Sequence, residues 1–242
     1  PAAVAAHKWD RSVFRLLDEL GFFRLLKIRR GPTIGIITPT TVALKFRSGR
    51  QADSVENGKL IEDLEALAGH LLPNSQVNFE RLAGAAFEGI INTKHHAYPM
   101  EFGRATRFTP RWWATGAIDC QERRVSAIIY DQGISIPATL TKAGWVEDVR
   151  SAFRKLTNRH ELDEDDGAVI QAAMDISRSR TNLPHRGKGL AEMERFMMTC
   201  SKGSLRLLSR HGEYISEANG DTRRFTHSTQ LRGTLVQWDV WV

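Results

Sequence analysis

Phe79-Glu-Arg-Leu-Ala-Gly-Ala-Ala-Phe-Glu88-Gly-Ile-Ile-Asn92-Thr-Lys-His-His96-Ala-Tyr98 opens the stretch on which the fold turns, and Val125-Ser-Ala-Ile-Ile-Tyr-Asp131-Gln-Gly133-Ile-Ser-Ile-Pro137 closes it. In the first segment Leu82, Ala85, Ala86, Gly89 and Ile90 recur at three- and four-residue spacing, which predicts a helix with one buried stripe. Glu88, Asn92 and His96 are four apart and fall on one line of that helix. An acid and an amide in register on a largely apolar helix are costly to bury unless something pairs with them. A metal ion and a phosphate would do so. The second segment is apolar enough for a central strand and runs into a tight Asp-x-Gly loop.

On the N-terminal side, residues 9–28 read as an amphipathic helix that Gly21 weakens in its middle. Thr33–Thr38 and Thr41–Phe46 read as a short hairpin, and Lys59–Leu72 as a helix ended by Pro73-Asn74-Ser75. Residue 73 is the best domain boundary: 1–73 is an accessory segment or small module, and 74–242 carries the main domain. Toward the C-terminus, Arg104–Ile118 is strand-like and forms a hairpin with Val125–Tyr130 around the polar turn 119–124. Helices are predicted at Trp145–Leu156, Asp165–Ser177 and Gly189–Cys200, the last presenting Leu190, Met193, Phe196 and Met197 inward. Antiparallel strands are predicted at Ser204–Leu208, Gly212–Ser216, Arg223–His227 and Leu235–Val242. Helices on one face of a mixed, mostly antiparallel sheet make an α+β two-layer sandwich.

Composition sets outer limits. Among 242 residues, 41% are hydrophobic and 26% charged, as in ordinary globular proteins. No apolar run approaches the ~20 residues that span a bilayer, so no membrane partner is expected. Neither a signal peptide nor an initiator Met opens the chain, which reads as a processed product or fragment. Cys120 and Cys200 read as two free thiols of a cytoplasmic protein. The net charge of +6 is scattered, without an aromatic-interleaved basic stripe, so nucleic acid is the weaker reading of it.

Four elements follow in order over residues 79–242: Glu-x-x-x-Asn on a helix, Asp-x-Gly at a strand end, Arg186-Gly187-Lys188-Gly189 opening a helix, and Gly233-Thr234 before the last strand. Together they resemble the GHKL ATPase superfamily of gyrase B subunits, ninety-kilodalton heat-shock chaperones, histidine kinases and MutL. The resemblance implies a Bergerat-type ATP-binding fold that takes Mg²⁺ and ATP, with a lid at about residues 138–186. It makes Asn92 the Mg²⁺ ligand through its side-chain carbonyl and Glu88 the group that orients and activates the attacking water. Asp131 would accept a hydrogen bond from the adenine amino group, Gly133 would let the backbone pass close to the base, and Ile136 would wall the base pocket. Gly187 and Gly189 would aim backbone N–H groups at the phosphates, flanked by the charges of Arg186 and Lys188. Thr234 would share a water with Asp131. The chain departs from the family at Ser135 and Ala191, where glycines are usual.

Each residue also has an ordinary reading. Asn92 would bond locally, Glu88 would be a surface glutamate, Asp131 a turn former, 186–189 a helix start, and Thr234 a strand threonine. His95 and His96 have no metal-ligand partners at suitable spacing, and no role is assigned to them. The expected function is Mg-ATP binding with hydrolysis, or binding used as a switch on a protein partner or upstream domain. An anti-sigma-factor-like serine protein kinase and a degenerate basic interaction domain are the alternatives. The family's transducer domain is not expected, because the segment ends on its last sheet strand.

Overall fold

The last strand of the chain lies inside the sheet, not at its edge, and this brings the ends of the sequence motifs together. The computed structural model describes residues 10–22, 40–50, 54–98, 110–140, 146–162, 165–179 and 189–242. Among them are six strands: β1 Thr41–Ala43, β2 Arg47–Gly49, β3 Trp112–Asp119, β4 Arg124–Asp131, β5 Gly203–Glu217 and β6 Thr222–Trp241. The order is β1-β3-β4-β6-β5, with β2 also on β3, so β6 inserts between β4 and β5. Every pairing among the described residues is antiparallel, where a mixed sheet was expected.

Seven α-helices are present among the described residues, and helices pack against this open sheet: α1 Arg11–Glu19, α2 Ser54–Leu71, α3 Phe79–Asn92, α4 Ile136–Leu140, α5 Val146–Thr157, α6 Asp166–Ser179 and α7 Gly189–Arg195. The α+β layered architecture expected from the sequence is therefore present. Alternate residues of each strand face the helices. Ala114, Ile118, Val125, Ala127, Ile129, Leu205, Leu207, Val236, Trp238 and Val240 join Leu60, Leu64, Leu82 and Ile90 in one buried core. The other face carries Trp113, Ile128, Tyr130 and Leu235, all partly exposed. A second cluster, built around Val149, Phe153, Ala172 and Ala173, joins α4, α5 and α6.

The helix that positions the site begins where the sequence dictates. Asn78 caps α3, its side chain accepting from Arg81 N–H at 2.9 Å. Phe79, Leu82, Ala85, Ala86, Gly89 and Ile90 form its buried stripe, as the spacing predicts. Beyond Asn92 the helix widens into a π-helical turn, Thr93–Ala97. The sequence reading carried the α-helix straight through to Tyr98.

Other boundaries moved as well. Strands expected separately at 204–208 and 212–216 are one bulged strand, β5, and those at 223–227 and 235–242 are one strand, β6. Register shifts at Ser209, Arg210 and Gly212 absorb the extra residues that had read as a loop. The helix expected at 189–200 ends at Arg195 and continues as a short 3₁₀ turn, Met197–Thr199. Within the segment 138–186, α6 is built into the core, with Ala168, Ile170, Ala172, Ala173 and Met174 fully buried. The strand expected at Thr33–Thr38 lies outside the described residues.

A buried polar cluster ties α6, α7 and β5 together. Arg178 donates to both carboxylate oxygens of Glu194, at 2.6 and 2.8 Å, and Tyr214 Oη donates to Glu194 Oε1 at 3.0 Å. Glu194 is 1% exposed. Burial opposes its charge, but the hydrogen bonds from Arg178, Ser216 and Tyr214 outweigh it and hold its pKa below the ordinary value. The C-terminal end of α7 is thereby fixed to α6 and β5.

Candidate functional site

Asp131 ends β4 and stands opposite Thr234 of β6 in the strand register. Two motif residues a hundred positions apart thus become cross-strand neighbours. Gly233 makes this approach: its φ is +85°, and a Cβ there would lie 2.0 Å from the Asp131 carbonyl oxygen. Asp131 is 6% exposed. Its Oδ1 accepts from Gly133 N–H at 2.7 Å, and the Thr234 N–H and Thr93 hydroxyl also donate to it. Burial nevertheless dominates and pushes its pKa up to about 6.

This carboxylate borders a largely apolar cavity of about 140 Å³. Ile136 forms part of the wall, together with Ile129, Leu140, Leu190, Met193 and Val236. Asn92, Thr93, His96, Gly189 and Thr234 also line it. A small apolar chamber with a few convergent polar groups has the make-up of a ligand site.

Asn92 and Glu88 meet the start of α7 at Gly189. A Cβ on Gly189 would lie 2.9 Å from Asn92 Oδ1 and 3.1 Å from Glu88 Oε2. The absence of a side chain at Gly189 leaves the two groups open to that helix start. Among the described residues, the buried Asn92 Nδ2 has no hydrogen-bond partner. Glu88 is half-buried. Its pKa is raised, first by burial and then by Glu192 of α7, with His95 acting in the opposite direction. The pKa of His96 is pushed down by desolvation and then by the neighbouring His95, whose ring meets it edge-on at 6.2 Å.

The loop after Asp131 is held close to the π turn. Ile134 N–H donates to the Ala97 carbonyl at 2.9 Å, and a Cβ on Gly133 would lie 2.3 Å from that same oxygen. The close approach that Gly133 permits is therefore to Ala97. Ser135 has a left-handed backbone of the kind glycine favours, with φ +84°. Its carbonyl accepts from Thr139 N–H and from the Thr139 hydroxyl at 2.7 Å, which starts α4. Ile136 N–H donates to Ser209 Oγ at 2.8 Å. Ser209 Oγ in turn pairs with Thr234 Oγ1 at 2.8 Å.

Of the residues named from sequence, Asn92, Asp131, Ile136, Gly189 and Thr234 line the cavity, while Glu88 and Gly133 stand directly behind it. Arg186, Gly187 and Lys188 lie outside the described residues. Thr93, Leu140, Leu190, Met193 and Ser209 were not foreseen. Thr93 had a legible signal, because it follows Asn92 and stands one turn after Gly89, whose carbonyl its hydroxyl bonds at 3.2 Å. The others arrive through tertiary packing alone. Among the described residues, no group of three or more His, Cys, Asp or Glu side chains is placed to hold a metal ion. Neither a protein-family model nor a curated protein matched the chain.

Proposed function

We propose that this chain is a Mg-ATP-binding domain of the histidine kinase-like ATPase class, which hydrolyses ATP or uses its binding as a regulatory switch. The observation that carries the reading is the pairing of two unlike regions at one cavity. A buried carboxylate borders an apolar chamber, and an acid and an amide, the latter with no Nδ2 partner among the described residues, stand at a glycine that opens a helix. The first region suits a flat heterocycle with an exocyclic amino donor. The second suits a phosphate chain with a bound cation.

The residues present fit both groups. Asn92 would hold Mg²⁺ through its amide oxygen, a hard donor that leaves the ion most of its waters. Bound ATP would supply the transferable γ-phosphoryl group, and phosphoryl transfer needs mainly positioning and charge neutralisation from the protein. Asp131 would accept the amino hydrogen of adenine and would repel the carbonyl edge of guanine, which selects the base. Glu88 would take the proton of the attacking water, because burial and Glu192 raise its proton affinity. Ile136, Leu190 and Met193 would exclude water from the base.

Calorimetry with Mg²⁺ and ATP tests this on the chain itself, on Asp131→Asn and on Asn92→Ala. Micromolar binding that both variants lose supports the site. No heat at millimolar ATP overturns it. Phosphate release compared between the chain and Glu88→Ala then separates turnover from a binding switch.

A further inference from the structure

Residues 131–134 leave the end of β4 at the Asp131 carboxylate, and three contacts hold them from the helix side. Thr93 Oγ1 lies 3.5 Å from Asp131 Oδ2 while it donates to the Gly89 carbonyl. The Tyr98 hydroxyl accepts from Gln132 N–H at 2.9 Å and donates to the Arg111 carbonyl at 2.9 Å. The Ala97 carbonyl accepts from Ile134 N–H at 2.9 Å. All three anchors belong to the π turn or to the residue that follows it.

The π turn is what makes these contacts coincide. It inserts one residue relative to an α-helix, and one residue is a rotation of about 100° about the axis. An uninterrupted helix from Phe79 would keep Asn92 in place and would turn Ala97 and Tyr98 away from the loop. Thr93 and Ala97 are buried, and the Gly133 backbone packs against Ala97 too closely for any side chain. The loop is thus seated on this turn.

We infer that Thr93 and Tyr98 are positioning residues for the Asp131 carboxylate, and that through it they set the discrimination between nucleotide bases. This rests on the nucleotide reading above. Gly133 N–H fixes Oδ1, and Thr93 sets the rotation that leaves Oδ2 beside the cavity wall. When Oδ2 takes a hydrogen from an amino group, the Thr93 hydroxyl keeps its bond to Gly89. Tyr98 fixes the backbone of Gln132, the residue between the carboxylate and its Gly133 donor. The titratable neighbours of Asp131 are Tyr98 and Tyr130, and burial holds both in their neutral form.

Two readouts on Thr93→Val, Thr93→Ser and Tyr98→Phe test this, one of them without ligand. The Asp131 titration is followed by carbon-13 NMR of its carboxyl group. Thr93→Val is expected to move the midpoint upward, since a lost donor disfavours the charged form, and Thr93→Ser is expected to restore it; Tyr98→Phe is expected to move it upward as well, by freeing Gln132 N–H and so loosening the Gly133 N–H that donates to Oδ1. The ratio of ATP to GTP affinity is expected to fall about tenfold in Thr93→Val and Tyr98→Phe, close to 1.4 kcal/mol of discrimination. Val149→Ala, in the second cluster, lowers stability and is expected to move neither readout. An unchanged Asp131 midpoint in both variants overturns the positioning role, whether or not nucleotide binds. A moved midpoint in a chain that binds no nucleotide supports the positioning role and overturns its link to base discrimination.

Discussion

Replacing Asp131 with Asn removes a buried titration and leaves the shape of the site. The folded-state pKa of about 6 lies above the ordinary value of 3.8 for this group. Folding therefore favours the protonated acid. The stabilising contribution is fully present below the unfolded pKa and is lost as the pH rises through the folded one. The shift corresponds to about 3 kcal/mol at 1.36 kcal/mol per unit. Asp131 is 6% exposed, so solvent screening takes little from this. About 1 kcal/mol of it is already spent near pH 4.5, which leaves a change of about 2 kcal/mol between there and pH 8. The measurement is urea unfolding of the chain and of Asp131→Asn at several pH values across that range. The stability difference between them should move in favour of the variant as the pH rises, by about 2 kcal/mol, whatever its starting value. The starting value also contains the cost of an amide nitrogen facing the Gly133 and Thr234 N–H donors, and the pH slope is free of it. A difference that stays flat with pH would refute the claim that burial dominates at Asp131.

Three further outcomes follow from particular backbones and partners. Gly233→Ala places a methyl group 2.0 Å from the Asp131 carbonyl oxygen on a φ of +85°. It should cost about 3 kcal/mol or more in denaturant unfolding. Ser135→Gly should leave stability unchanged or raise it by up to about 1 kcal/mol, because relief of the left-handed backbone offsets the entropy glycine adds to the unfolded chain. Arg178→Met leaves the Glu194 carboxylate buried without its cation and should cost about 3–5 kcal/mol. Because the pKa of Glu194 is depressed, that cost should be largest above the ordinary glutamate value and should shrink as the pH falls through it, as thermal melts at several pH values would read.

Much of the scaffold was legible because it depends on local periodicity. The buried stripe of α3 follows from the spacing of Leu82, Ala85, Ala86, Gly89 and Ile90, and its start from Asn78. β4 follows from a largely apolar run, Val125–Tyr130, and the β3–β4 hairpin from the polar turn between its strands. The site was legible to the extent that residue chemistry stands out from its surroundings, as with an acid and an amide on an apolar helix. The π turn was not legible, because its sequence has no helix breaker and its contacts are with a loop distant in the chain. Ser135 read as a departure from glycine, and only the structure shows that its backbone is in the left-handed region that glycine favours.

By itself the sequence determined which segments are helix or strand, which of their faces are apolar, and which polar residues stand out on them. Tertiary structure alone decided that β6 enters between β4 and β5 and so sets Thr234 against Asp131. It also decided that Gly189 comes to lie on Asn92 and Glu88. The physical reason is range. Periodicity and capping act over a few residues, whereas a cavity forms where surfaces distant in the chain are driven together by burial of the apolar faces they share.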